Sequence, residues 1–343
     1  MARTELKLSP APARLKSIQI EPTSYCNLKC AGCNRTWREG QGTLVSRHMA
    51  LETFARVIDH LPPGDVCWLN GYGEPTLNID LPDMVATAKT RFDQVYVISN
   101  LLARGIDFYR ALERKGLDQL HVSVDSLNPE VADTVRYGTD VVKLRDRLGE
   151  VRAALQVSMT INIVVSEKNL YDIPNTLAYL NRLAGRPGGF DVGFADFGAF
   201  ADDDYDYSSW FTNTGSKAIF NKMIAPLIPK FSNLNFRNEE FKQRRRKRPT
   251  DRCERPFFDP AVTVDGHLVP CCVELHNADH YRRTSIVDQD FQTAWAAPGI
   301  QEWLKDYLRE EPSICRECCL NPYRNEKKVV PLLDRLLGRE AAA

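Results

Sequence analysis

The chain has 343 residues with 45 Lys and Arg against 45 Asp and Glu, so its formal net charge at pH 7 is zero. That balance excludes a globally basic nucleic-acid binder and a chain steered onto anionic membranes. No stretch approaches the roughly 18 consecutive apolar residues of a membrane span, and Met1–Glu5 opens no apolar signal segment. A cytoplasmic chain of one α/β domain plus a smaller module is expected, its ten cysteines serving metal rather than disulfides.

From residue 17 to about 197, short β-type runs alternate with longer amphipathic stretches. The pattern predicts strands over Ser17–Glu21, Val66–Gly71, Val95–Asn100, Gln119–Asp125, Ser158–Val165 and Asp191–Phe197. Helices are predicted over Leu51–His60, Leu81–Lys89, Asp107–Lys115, Pro129–Tyr137, Val141–Leu155 and Leu170–Leu183. Six β-then-α units imply a parallel sheet, because parallel neighbours need crossover connections. Right-handed crossovers curl that sheet with its helices outside. An α/β fold of the partial (β/α)6 barrel type follows, with chemistry at the C-terminal ends of the strands.

Directly after the first strand comes Tyr25-Cys26-Asn27-Leu28-Lys29-Cys30-Ala31-Gly32-Cys33, a Cys-x3-Cys-x2-Cys loop. Three thiolates can hold three irons of a [4Fe–4S] cube and leave the fourth without a protein ligand. A structural zinc ion would ask for a fourth ligand, usually from Cys-x2-Cys knuckles, and no histidine lies near these cysteines. Cys67, inside Val66-Cys67-Trp68-Leu69, reads as a packing residue.

The spacing, with Asn27-Leu28 after the first cysteine, resembles the cluster loop of the radical S-adenosylmethionine (SAM) enzymes, whose fold is such a partial barrel. The resemblance implies cluster ligands Cys26, Cys30 and Cys33. It implies SAM at Asn70-Gly71-Tyr72-Gly73-Glu74-Pro75 after the second strand, similar to the family's Gly-Gly-Glu-Pro segment for the SAM amino group. Gly71, Gly73 and Glu74 are its candidate residues there. Ser99 and Asn100 are similar to the Thr-Asn-Gly that ends strand three, with Leu101 in place of the glycine. Ser123 and Asp125 share one face of strand four, where they could meet ribose or carboxylate; Asp125 could equally cap the following helix. Arg136 and Gly138 resemble Arg-x-Gly, Arg136 suiting a carboxylate or standing as a surface helix charge. Asn162 and Val164 fall where the family contacts adenine. Gly32 replaces an aromatic before the third cysteine, which leaves adenine to another ring, Trp37 being the candidate.

The C-terminal part holds Cys253, Cys271-Cys272 and Cys315-Arg316-Glu317-Cys318-Cys319. Between the first two, Ala261–Pro270 alternates around Asp265-Gly266 and reads as a β-hairpin, and a helical return is expected over Phe291–Arg309. Cys-x12-Gly-x4-Cys followed by Cys-x2-Cys is similar to the SPASM module of radical SAM enzymes. It implies one auxiliary [4Fe–4S] cluster on Cys253, Cys271, Cys315 and Cys318, coordinatively closed and suited to electron transfer. A zinc-bound module is the alternative. Cys272 and Cys319 are left as alternative ligands, buried thiols or a hydrogen-atom donor. The expected domains are an extension over 1–16, the barrel over 17–235, a basic linker over 236–252, the SPASM-like domain over 253–325 and a tail over 326–343.

The resemblance implies reductive cleavage of SAM to a 5′-deoxyadenosyl radical that takes a hydrogen atom from a substrate, with an electron donor of the flavodoxin or ferredoxin type. Only about 25 residues precede Cys26, too few for a leader-binding domain, so a polar small-molecule substrate is expected ahead of a peptide. Sugar, aminocyclitol and nucleoside-like compounds fit, with dehydrogenation, dehydration, epimerisation or decarboxylation as the outcome. Asp191, Asp196, Asp202 to Asp204, Tyr205 and Tyr207 could line a polar pocket, or Asp202–Asp206 a solvated loop. Lys242–Arg248 reads as a solvated linker, or as a site for phosphate, RNA or an acidic leader. No membrane or nucleic-acid partner is expected. The readings of another class are a non-catalytic iron–sulfur electron carrier and a zinc protein that binds RNA; neither needs Gly73-Glu74-Pro75.

Overall fold

A computed structural model describes residues 11–196, 220–237, 253–272, 274–275, 284–310 and 315. Its parallel strands are β1 (Leu15–Ile20), β3 (Gly64–Leu69), β4 (Phe92–Ser99), β5 (Gln119–Ser123), β7 (Ser158–Val165), β8 (Phe190–Asp196) and β9 (Leu234–Phe236). A hairpin, β10 (Ala261–Val262) and β11 (Leu268–Val269), and a two-residue pair, β2 (Lys29–Cys30) and β6 (Arg136–Tyr137), complete the strands among the described residues. The main sheet runs β11-β10-β1-β3-β4-β5-β7-β8-β9. Strand alternation divides it. Val95, Val97, Leu120, Val122, Ile161 and Ile163 are fully buried in one apolar cluster with Phe54, Met84, Leu112, Leu148 and Leu177 of the helices. The opposite face carries Gln94, Tyr96, Gln119, His121, Ser123 and Asn162, a polar and aromatic lining.

The helices are α1 (Asn34–Gly40), α2 (Leu51–His60), α3 (Leu81–Ala88), α4 (Ile106–Arg114), α5 (Pro129–Val135), α6 (Val141–Ala154) and α7 (Ile173–Ala184). Asn128 caps α5, its side chain accepting the Glu130 N–H at 3.0 Å ahead of Pro129. Gly185, at φ +68°, ends α7 in the left-handed conformation. Three expectations need correction. The helix expected to Tyr137 stops at Val135, because Arg136–Tyr137 pair with the cysteine loop as β6. The helix expected from Leu170 begins at Ile173, after a turn in which Asn169 bonds Ser166. The helical return breaks into Phe291–Trp295 and Pro298–Arg309, Pro298 opening the second. Helix α1 and strand β9 were not predicted.

The hairpin forms as expected, with Gly266 at φ +80° in its turn. Its place was not legible: β10 pairs in parallel with β1, Gln19 opposite Ala261 and Ile20 opposite Val262. Glu21 closes that junction. Its buried carboxylate accepts the Tyr72 N–H at 2.6 Å and the Val264 N–H at 3.2 Å. Burial pushes it up to about 7, against the pull of those two N–H groups.

Two predictions follow from these packing arrangements. Leu101 is buried at φ 63°, a conformation that penalises a side chain. Leu101→Ala and Leu101→Gly should each cost roughly 2–5 kcal/mol in urea unfolding. Glycine should prove no worse than alanine, because release of the left-handed strain of about 1–2 kcal/mol offsets its usual deficit. For Glu21, the folded state binds the proton more tightly than the unfolded chain. Its stabilisation is therefore complete below pH 4.5 and lost as pH rises through about 7. Across that window the wild type should lose up to roughly 3 kcal/mol relative to Glu21→Gln, read as diverging denaturation midpoints.

Candidate functional site

The cysteine loop leaves the end of β1 and is fixed from several sides. Gly73 N–H donates to the Thr23 carbonyl at 3.2 Å and Glu74 N–H to the Tyr25 carbonyl at 2.8 Å. Arg35, almost wholly buried, donates from Nε to the Ser24 carbonyl at 2.7 Å. Ala31 N–H reaches the Val135 carbonyl at 3.0 Å, and Cys33 stands at the N-cap of α1. Cys26 Sγ accepts the Leu28 N–H at 3.5 Å. Burial pushes the Cys26 thiol up, and the Cys30 thiol up to about 12. Free, these are protonated thiols; metal coordination deprotonates such groups. Among the described residues no three His, Cys, Asp or Glu side chains crowd as ligands of one ion must, with sulfurs about 3.8 Å apart around zinc. One thiolate on each of three irons asks for no such crowding.

Gly71 and Gly73 are required by this packing. A Cβ on Gly73 would collide with the Thr23 and Tyr25 carbonyl oxygens, and one on Gly71 with the Glu21 side chain. Glu74, expected to face a ligand, turns inward. Its Oε1 accepts Ser99 Oγ at 2.8 Å, Thr76 Oγ1 at 2.6 Å and Thr76 N–H at 3.2 Å, and its Oε2 accepts Asn100 N–H at 2.7 Å. Burial raises its pKa while these donors lower it. Ser99 also meets the Tyr109 hydroxyl at 3.1 Å, so both groups sit in the protein interior. Asn100 Nδ2 donates to Asn27 Oδ1 at 2.9 Å, linking the end of β4 to the cysteine loop.

Asp125 and Arg136 are likewise engaged with each other: Arg136 Nε donates to Asp125 Oδ2 at 2.6 Å, and Val164 N–H to Asp125 Oδ1 at 2.8 Å. Arg136 Nη1 lies 3.9 Å from Cys30 Sγ. Burial disfavours its charge, but Asp125 and the cysteine raise its pKa overall. Asp125 therefore does not serve as a helix cap, and Arg136 is not a surface helix charge. Gly138 turns the chain after them at φ +90°. Ser123 and Asn162 lie on the inner face of the sheet, half-buried. Trp37 is half-buried on α1, with the Arg38 guanidinium 5.8 Å from its ring centre.

On that inner face sequence reasoning singled out Ser123 and Asn162 but not the rings beside them. Trp68, Tyr96 and His121 form one ring cluster, with centroids 4.8 Å apart for Trp68–Tyr96 and Trp68–His121. His121 Nδ1 and Asn162 Nδ2 are 3.3 Å apart. Burial first, then the Arg237 charge, pulls His121 down to about 4, so its imidazole is neutral near pH 7. Asn70 Oδ1, buried just before Gly71, has no hydrogen-bond partner among the described residues. Asp191, level with His121 two strands away, bonds Asn235 and Arg237. The signal available was the period-two polar run Gln119-x-His121-x-Ser123.

In the second group, Cys271 and Cys315 are buried in one cluster with Tyr307, against which Cys272, Phe257 and Trp303 pack. The Tyr307 hydroxyl donates to the Cys253 carbonyl at 2.8 Å. Burial disfavours the Arg255 charge, while Cys272, Asp259, Cys271 and Cys253 favour it. Cys318, Cys319, Asp202 to Asp204, Tyr205, Tyr207 and Lys242–Arg248 lie outside the described residues. Cys67 is buried, as its apolar setting predicts. No helix among the described residues is long and apolar enough to cross a membrane.

Known proteins can be set beside this geometry. The radical SAM superfamily matches residues 20–180, and the SPASM iron–sulfur cluster-binding domain matches 253–319. A probable GTP 3′,8-cyclase of Methanococcus maripaludis strain C5 is 25% identical over 176 residues, 49% of this chain and 56% of the relative. The PqqA peptide cyclase of Xanthomonas oryzae pv. oryzae is 30% identical over 177 residues, 50% of this chain and 45% of the relative. The chain spans about half the length of the curated relatives it matches. In fold it is similar to Streptococcus suis SuiB bound to S-adenosylmethionine, with a TM-score of 0.65 at 13% identity over 90% of this chain and 71% of that one. It is also similar to anSMEcpe with bound AdoMet, with a TM-score of 0.64 at 15% identity over 90% and 93%. By these matches the chain belongs to the radical SAM superfamily, with SAM and a [4Fe–4S] cluster as its cofactors and a SPASM iron–sulfur cluster-binding domain on its C-terminal side.

Proposed function

We propose that this radical SAM enzyme abstracts a hydrogen atom from a polar, hydroxyl-bearing small molecule of the sugar, aminocyclitol or nucleoside-like class. The oxidoreductase or lyase outcomes are dehydrogenation, dehydration, epimerisation or decarboxylation. The observation that carries the reading is the inner face of the sheet. There the half-buried Trp68, Ser123 and Asn162 stand against the buried rings of Tyr96 and His121, a lining suited to stacking and hydrogen bonding of an uncharged polyol. The likeness to a GTP cyclase agrees with it. The peptide reading has its own support in the PqqA peptide cyclase and in SuiB bound to precursor peptide SuiA.

Cys26, Cys30 and Cys33 would hold the SAM cluster. The loop fits that group through its donor set of soft sulfur ligands and the N–H groups aimed at Cys26 and Cys30. Asn70 Oδ1, a buried acceptor beside Gly71 without a partner among the described residues, fits the ammonium of SAM. Bound together, cluster and SAM supply one-electron cleavage to methionine and a hydrogen-abstracting 5′-deoxyadenosyl radical. The protein's part is to hold SAM at the strand ends, to present the substrate against the inner face and to exclude water. Cys253, Cys271, Cys315 and Cys318 would hold one auxiliary [4Fe–4S] cluster, and a flavodoxin- or ferredoxin-type protein would deliver the electron.

Anaerobically reconstituted, reduced chain should form 5′-deoxyadenosine faster with a sugar and nucleoside pool than without substrate. Stimulation by a peptide pool alone would overturn the substrate class, and intact SAM under every condition would overturn the enzyme reading. Gly73→Ala should cost about 1–3 kcal/mol by overpacking and lower the iron bound per chain. Gly40→Ala, where a Cβ meets nothing within 4 Å, should leave both unchanged.

A further inference from the structure

The pairing of β2 with β6 sets Cys30 directly opposite Arg136 and Lys29 opposite Tyr137. Residues opposed across an antiparallel pair project from the same face. Arg136 and Cys30 are thereby brought together, although 106 positions separate them. The guanidinium is then held from its other side. Nε donates to Asp125 Oδ2 at 2.6 Å while Nη1 stands 3.9 Å from Cys30 Sγ. Asp125 is anchored in turn by the Val164 N–H at 2.8 Å. The two side chains are 18% and 5% exposed, so neither is free to turn into solvent. The backbone after Arg136 reinforces the arrangement: Thr139 donates from N–H and Oγ1 to the Arg136 carbonyl, at 3.0 and 2.7 Å.

We propose that Arg136 is a positioning residue that sets a fixed positive charge against the Cys30 thiolate and raises the reduction potential of the cluster. The inference rests on the reading that Cys30 ligates that cluster. Charge and hydrogen bonds at ligand sulfurs are established levers on iron–sulfur potentials. Reduction adds one electron, from the external donor or from dithionite in a titration, with no bond broken, and the added negative charge is stabilised by a nearby cation. Asp125 opposes this, but it lies on the far side of the guanidinium, and Coulomb energy falls with distance, so the nearer charge prevails. With Nε on Asp125 and Nη1 at Cys30, the arginine is oriented by the protein before any SAM carboxylate arrives.

The test is a redox titration of the full-length reconstituted chain without SAM, following the electron paramagnetic resonance signal that changes when SAM is later added. Arg136→Gln should move the midpoint to more negative potential. At the wild-type midpoint its ratio of reduced to oxidised cluster should fall about tenfold, ~59 mV for a one-electron couple. Arg136→Lys keeps a charge without the fork and should shift in the same direction by less; it also serves if the glutamine variant binds no iron. An unchanged midpoint in the variant that retains the cluster would overturn the proposal. A fall in SAM affinity with an unchanged SAM-free midpoint would do the same and assign Arg136 to the SAM carboxylate. A wild-type chain with no SAM-responsive signal would instead defeat the reading of the cysteine loop itself.

Discussion

The Glu74 carboxylate, buried where β3 and β4 end, is the group on which the geometry of the site depends. An isolated carboxylate in that position would cost several kcal/mol. Donors from Thr76, Ser99 and the Asn100 backbone offset the cost, and by doing so they fix the ends of the two strands relative to each other. From there the constraint passes outward. Asn100 holds Asn27, and the backbone of Gly73 and Glu74 holds Thr23 and Tyr25. The cysteine loop has only the two residues of β2 in a strand before α1 begins. Its shape is therefore imposed by neighbours. Glycine at 73 is obligatory because two carbonyl oxygens occupy the space of a side chain.

The same logic governs Asp125 and Arg136. Charged groups at the strand ends look from sequence like ligand contacts, and the fold satisfies them against each other. Such pairing is what rigidifies a binding site before a ligand enters, since a charge already oriented needs no reorganisation later. Neutral polar groups, among them Asn70, Ser123 and Asn162, occupy the inner face beside this pair.

Much of this was legible. Strand β7 and helix α2 have their expected bounds, because a long β-branched run and a strong amphipathic period each give an unambiguous signal. The cysteine loop and Gly-Tyr-Gly-Glu-Pro were legible as motifs because their residues lie close together in sequence. What could not be read is non-local. Two-residue strands have no period, so nothing in Arg136–Tyr137 separates them from the helix before, and only Lys29–Cys30, a hundred residues earlier, decides the matter. Arg35 and Glu21 belong to no motif; their importance lies in what folding brings to them. The polar run at Gln119, His121 and Ser123 was visible, but which face it lines depends on the sheet.

The position of the hairpin has the widest consequence. Because β10 pairs with β1 through backbone bonds, the C-terminal cysteines are tied to the barrel by the sheet itself. The Arg47–Asp265 ion pair at the turn is too exposed to contribute much. Strand β10 runs parallel to β1 and β11 returns antiparallel, so the turn with Val264 and Asp265 lies at the cysteine-loop end. Val269 is level with Ala261 and hence with Gln19. The returning strand β11 therefore runs away from the cysteine loop, which starts beyond Glu21. Beyond Val269 the chain leaves the ladder and bends at Pro270, and Cys271 is buried against Tyr307. An auxiliary cluster at Cys271 would stand beside the barrel wall, set back from the strand ends. That position suits the exchange of electrons through the protein.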